Sequence, residues 1–146
     1  MRAVVQRVSE ASVTVEGDVC AKIDRGMLIL VGVEKEDNQD SMEAFAQKIL
    51  KFRIFSDQSG KMNLNVVEAG GGLLVVSQFT LAADTGRGNR PGFSAAAAPE
   101  HARALYEHLI SHLRSLGNVP VESGIFAADM KVSLVNDGPV TFTFSM

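Results

Sequence analysis

Two short, unbroken apolar runs constrain the fold more than any other feature of the chain. They are Met27-Leu28-Ile29-Leu30-Val31-Gly32-Val33 and Leu73-Leu74-Val75-Val76. Neither approaches the roughly 20 apolar residues of a membrane span. Both lack the polar interruptions of an amphipathic helix. A strand without polar alternation has to hide both of its faces. Gly26 precedes the first run, and three glycines, Gly70 to Gly72, precede the second. Both runs therefore suit strands buried on both faces.

Other strands show one wet face. Val13 and Val15 alternate with Ser12, Thr14 and Glu16. Val132 and Leu134, then Val140, Phe142 and Phe144, alternate on either side of Asn136-Asp137-Gly138-Pro139, a hairpin-like pattern. Two segments have helical spacing. From Ser41 to Lys51 the apolar positions are Met42, Phe45, Ile49 and Leu50, with Asp40 or Ser41 able to cap the start. From Pro99 to Leu116 they are Ala102, Leu105, Leu109, Leu113 and Leu116, with Gly117 beyond the end. Residues 84–99, rich in Gly, Arg, Ala and Pro, read as a long loop. The expected fold is α+β: a strongly curved, mostly antiparallel sheet or open β-barrel with two main helices packed on it, residues 1–146 making a single domain.

Composition narrows the setting. A domain of 146 residues buries roughly 68–70% of its unfolded surface and needs no staple. Cys20 is the only cysteine, which suits a reducing compartment. Arg2 and Arg7 interrupt any signal-like segment. The expectation is a cytoplasmic protein with no membrane partner. A net charge of −3 argues against a non-specific binder of polyanions and against DNA. Any nucleic-acid partner must be held by a local patch or by shape.

Histidine is the usual general base, yet His101, His108 and His112 all fall on the second helix, beside its leucine stripe. His108 and His112 have ligand spacing but lack the glutamate of a zinc-protease helix, and a solvated helix face is the default for such residues. No metal and no cofactor is expected. Ser77-Gln78-Phe79-Thr80-Leu81 begins where the run Leu73–Val76 ends, and a rigid strand end is a favourable place for reactive groups. Its plain alternative is a polar strand end that satisfies nearby backbone. Asn136-Asp137-Gly138-Pro139-Val140-Thr141 reads as turn chemistry, with Gly-Pro a bond where the cis form costs little. Arg87 and Arg90, in a loop of glycine and asparagine, could meet phosphates, although the loop has no Walker pattern.

Taken together, Ser77-Gln78-Phe79-Thr80-Leu81 and Asn136-Asp137-Gly138-Pro139-Val140-Thr141 resemble the two signature motifs of the D-aminoacyl-tRNA deacylase family. The resemblance runs the length of the chain, through Val5 to Val13, Phe52-Arg53-Ile54-Phe55, Gly60-Lys61-Met62-Asn63, Arg90-Pro91 with Phe93-Ser94, and Ala128-Asp129-Met130. Gly86, Gly92 and Ala127 depart from the pattern; Ala127 stands where glycine is common.

The resemblance implies a homodimer that hydrolyses the ester of D-aminoacyl-tRNA, and of glycyl-tRNA, while sparing the L form. The 3′-terminal adenosine would enter a pocket lined by Ser77, Gln78, Phe79 and Thr80. Gly138 and Pro139 of the partner subunit would reach into it through a cis peptide and act as the chiral filter. Arg7 matches the side chain that holds this Gly-Pro, and Phe126 and Met130 match pocket-wall positions. Arg87 and Arg90 are the candidate tRNA contacts. Backbone N–H groups near Gln78 and Phe79 suit a developing oxyanion, and a substrate ribose hydroxyl can help to activate water in place of a histidine. Two alternatives stand beside this reading: Thr80 as a covalent nucleophile, or a non-catalytic module that binds a tRNA end.

Overall fold

The computed structural model describes residues 1–86 and 88–146. Arg87, one of the two candidate tRNA contacts, lies outside the described residues. In chain order the elements are β1 (Arg2–Val15), β2 (Asp18–Ile23), β3 (Gly26–Gly32), α1 (Gln39–Lys51), β4 (Phe55–Ser56), β5 (Met62–Leu64), β6 (Gly72–Ser77), a 3-10 turn (Phe79–Ala82), α2 (Pro99–Ser115), β7 (Val121–Ser123) and β8 (Met130–Ser145).

The main sheet runs β2-β1-β3-β6-β7, and β8 pairs with β1. Pairings of β1 with β2, β3 and β8 are antiparallel, whereas β3-β6 and β6-β7 are parallel. The sheet is nearly closed and barrel-like, as expected, but the two apolar runs form its parallel part. They do hide both faces. Met27, Ile29, Val31, Leu73 and Val75 face the core beneath α1 and α2, while Leu28, Leu74 and Val76 face a second cluster inside the curl of the sheet.

β1 serves both cores. Ala3 and Val5 point to the helix side, whereas Val8, Ala11 and Val13 point into the curl. Strict alternation would keep odd residues on one face throughout. The pairing register with β8 shifts between Gln6 and Val8 and again between Val8 and Glu10, and these irregularities change the face.

The expected hairpin at residues 136–139 is not one. β8 is a single long strand that follows β1 over almost its full length, from Val15↔Met130 to Arg2↔Ser145. Gln6 pairs with Thr141 and Val8 with Asn136, so Asp137 to Val140 bulge out of the ladder. The alternation on the two sides is that of one strand because β1 offers both halves a common partner.

The helices follow their spacing. α1 starts two residues earlier than expected, at Gln39, and its cap is Asn38 rather than Asp40 or Ser41. Asn38 accepts the Ser41 N–H at 3.0 Å, and Ser41 Oγ accepts the Asn38 N–H at 3.0 Å, a reciprocal capping box. α2 starts on Pro99 and buries Ala102, Leu105, Tyr106, Leu109, Ile110 and Leu113, with Leu116 packed against the same core. No helix among the described residues is long and apolar enough to cross a membrane.

Candidate active site

β6 is buried from Gly72 to Val76 and emerges at half-buried Ser77, in register with Val31 of β3. The Gln78 N–H donates to the Val31 carbonyl at 2.8 Å, which extends the ladder by one bond before the chain turns. A 3-10 turn follows, with the Leu81 N–H donating to Gln78 O at 3.2 Å. Of the backbone N–H groups expected near Gln78 and Phe79 to face an oxyanion, that of Gln78 itself is engaged in the ladder. The two amides that a turn starting here cannot satisfy internally are those of Phe79 and Thr80.

Above this strand end lies a cleft of about 570 Å³, lined by Val76, Ser77, Gln78 and Phe79, by Pro99 and Ala102 at the start of α2, and by Phe126 to Met130. This volume falls within the roughly 300–1,000 Å³ of small-molecule sites. Phe79, 59% exposed, packs its ring 5.1 Å from that of Phe93, so the loop after residue 84 folds back over the mouth. Gln78 Nε2 donates to Thr80 Oγ1 at 2.6 Å. Thr80 itself is exposed beside the cleft rather than on its wall.

The segment 124–130 closes the far wall. A side chain at Gly124 would place Cβ 2.7 Å from Met130 Sδ, so glycine is what lets Met130 approach. Ala127 has φ +63°, a left-handed conformation that favours glycine. Tyr106, the only tyrosine of the chain, fixes this wall to the strand. Its buried hydroxyl donates to Val75 O at 2.9 Å and lies 3.2 Å from Gly124 O, while the Gly124 N–H donates to the same Val75 carbonyl at 2.9 Å. Burial, only partly opposed by a backbone hydrogen bond near Ser77, pushes the Tyr106 hydroxyl up to about 12. The sequence reading missed Tyr106. A lone tyrosine beside the leucine stripe of α2 was its one signal, since a buried phenol needs an acceptor.

None of the three histidines lines the cleft. His101 Nε2 lies 2.8 Å from Asp37 O, His108 Nε2 lies 3.6 Å from Glu43 Oε1, and the His112 ring stacks on that of His108.

The second motif sits elsewhere. The Gly138-Pro139 peptide is cis, and both residues are exposed on the β8 bulge. Arg7 clamps the bulge from the adjoining strand. Its Nε donates to Asp137 O at 3.0 Å and lies 3.4 Å from Asp137 Oδ2, while Nη1 donates to Ile54 O at 2.7 Å. Asn136 Nδ2 ties the base of the bulge by donating to Arg7 O at 2.9 Å and Val140 O at 3.0 Å. Gly138 has φ +145°, and a Cβ there would fall 2.6 Å from Val140 Cγ2 and 3.3 Å from Arg7 Nη2. Glycine is thus demanded by the bulge itself. Ser77, Gln78, Phe79, Phe126 and Met130 share one cleft, whereas Arg7, Gly138 and Pro139 form a separate cluster that does not line it. Arg90 is exposed on the loop.

Fold and cleft together define a small α+β protein with a cleft of small-molecule size at a strand end. A solved structure of "c-Myc DNA Unwinding Element Binding Protein" superposes with a TM-score of 0.94 at 41% identity, covering 100% of this chain and 99% of that one. A probable eukaryotic D-amino acid tRNA deacylase shares the fold, with a TM-score of 0.84 at 17% identity over 98% of this chain and 97% of that one. D-aminoacyl-tRNA deacylase of Shewanella halifaxensis is 61% identical over 146 residues, the whole of both chains. The protein of the same name from Shewanella amazonensis is 59% identical over 142 residues, 97% of each. The family model for D-Tyr-tRNA(Tyr) deacylase matches residues 4–145, and the chain belongs to that family.

Proposed function

We propose that residues 1–146 act as a single cytoplasmic domain that hydrolyses the ester of D-aminoacyl-tRNA, releasing tRNA and a free D-amino acid. One observation supports the mechanism: the cleft lies at a rigid strand end, beside a turn whose first amides have no partner within the turn, and no histidine lines it. An aminoacyl ester is already activated, so donors aimed at the developing oxyanion can suffice. Water adds to the ester carbonyl, assisted by the substrate's own ribose hydroxyl. The tetrahedral oxyanion accepts from the Phe79 and Thr80 N–H groups. Collapse expels the ribose oxygen, which takes up a proton, and leaves the amino acid as its carboxylate.

Chirality requires something to oppose the L side chain, and specificity of this kind comes from repulsion. In one chain Gly138 and Pro139 are exposed and do not line their own cleft. A two-fold homodimer gives each bulge a cleft to enter, with the partner subunit's Gly138 and Pro139 presenting carbonyls where an L side chain would lie. Glycine has no side chain to reject, so glycyl-tRNA is cleaved as well. Arg90 contacts the tRNA from the loop. A net charge of −3 gives a DNA-binding reading no support.

The test is release of amino acid from matched D- and L-tyrosyl-tRNA, with and without a chelator. The D ester is expected to be cleaved, the L ester spared and the chelator without effect. Equal hydrolysis of both enantiomers would sink the proposal.

A further inference from the structure

A second groove, of about 430 Å³, shares Phe126 with the proposed catalytic cleft. One wall is a face of α2 carrying Arg103, Glu107, Ser111 and Arg114, and the other is the segment from Ser123 to Phe126. Residues 103, 107, 111 and 114 recur at helical spacing, so they form one stripe along the helix. Eleven residues at 1.5 Å each separate the two arginines by about 16 Å along the axis. This is the length of a track rather than of a single anion pocket.

Both guanidinium groups are held but not neutralised. Arg103 lies 4.8 Å from the centroid of the Phe126 ring, and that ring also lines the catalytic cleft. Its pairing with Glu107, at 3.7 Å between half-exposed side chains, is an i,i+4 contact worth only about 0.3–0.5 kcal/mol. Arg114 Nε donates to Val121 O at 3.1 Å, which orients the group and leaves its terminal nitrogens for another acceptor. The hydroxyls of Ser111 and Ser123 line the same groove.

We propose that this groove binds the phosphodiester backbone of the substrate's single-stranded 3′ end, with Arg103 and Arg114 as phosphate contacts that deliver the terminal adenosine past Phe126 into the cleft. The inference rests on the proposed function and adds to it the path of the RNA. It also gives an acidic protein the local positive stripe that its net charge demands. Guanidinium groups suit this task because their forked donors match phosphate oxygens.

The experiment uses the whole chain of 146 residues and a single-stranded RNA tetranucleotide that ends in 3′-adenosine and carries no amino acid, with affinity followed across a salt series. Each phosphate contact on single-stranded RNA contributes about 0.7 to the slope of log K against log salt. Arg103→Gln and Arg114→Gln should each lower that slope by about 0.7 and weaken binding about tenfold at low salt. Arg103→Lys and Arg114→Lys should restore most of the slope, which a purely structural role would not do. Unchanged slopes in both glutamine variants would overturn the proposal. Hydrolysis of D-tyrosyl-adenosine, which carries no phosphate, is measured in parallel. Its failure in the unmodified protein would count against the proposed function, whereas the salt slopes decide on the groove. An equal loss of both readouts in the glutamine variants would mean damage to the cleft and would also overturn the phosphate assignment.

Discussion

At the scale of single residues, Ala127 stands out because its backbone is in a conformation that suits glycine. A left-handed residue other than glycine costs roughly 1–2 kcal/mol, and part of that is returned when glycine loses more freedom on folding. Ala127→Gly should raise stability by about 0.5–1 kcal/mol, read as a shift in denaturation midpoint at constant slope. A neutral or negative shift would show that the wall relaxes around the alanine. Thr80 gives a sharper test of chemistry. Its hydroxyl accepts from Gln78 and has no base beside it, so Thr80→Ala should keep appreciable deacylation. Complete loss with the fold intact, together with a trapped acyl ester, would favour the covalent alternative.

At the scale of elements, the bulge of β8 is where a side chain from another strand determines local shape. Arg7→Ala removes a largely buried guanidinium from two carbonyls, Asp137 O and Ile54 O. Charged hydrogen bonds of this kind contribute about 1.5–3 kcal/mol each, so a loss of about 2–3 kcal/mol is expected, with a fall in deacylation measured after the variant is shown to fold. Arg7→Lys should recover little, since an ammonium does not reproduce the fork. Stability and activity both near the parent values would remove Arg7 from its assigned role.

Much of this level was legible in the sequence. The runs 27–33 and 73–76 declared strands buried on both faces, and the stripes of α1 and α2 lay at the expected spacing. That Ser77 to Phe79 leave the core strand and line a cleft was legible because polar groups directly follow the apolar run. The bulge was not, because alternation on the two sides of Asp137-Gly138 is the same for a hairpin and for one strand with a common partner. Nor was the engaged Gln78 amide, which depends on the register of β6 against β3. The hydroxyl of Tyr106 and the α2 groove depend on how helix and sheet dock, a relation between distant segments that local patterns do not carry.

At the scale of the whole molecule, ionisation sets the window of stability. Burial tends to raise the Glu34 carboxyl, but hydrogen bonds from Arg2 and the Met1 ammonium outweigh it and hold the group below its ordinary range. The Ser59 hydroxyl does the same for Asp57, and the Asn65 backbone for Glu68. Groups depressed in the fold stabilise it above their unfolded values and lose that contribution as pH falls through the folded ones. Tyr106 works in the opposite sense: burial favours its neutral form, and that contribution is lost as pH climbs from 10 towards about 12. Melting temperature should therefore hold a plateau near neutrality, decline below the ordinary carboxylate range of about pH 4, and decline again above pH 10. Tyr106→Phe should lower the plateau by the loss of two buried hydrogen bonds and soften the alkaline decline; an unaltered alkaline limb would show that other groups govern it.

The change of face in β1 has a kinetic consequence. A strand whose first residues belong to one core and whose later residues belong to the other, and which hydrogen-bonds to β8 along nearly its entire length, gives the molecule no seam along which half could loosen. Amide protons on either side of Val8 should then exchange with solvent deuterium through one shared opening, at nearly the same free energy, rather than as two independent units. The clamp on the bulge and the floor of the cleft would be lost in a single event, so the geometry of both would persist for as long as the fold itself.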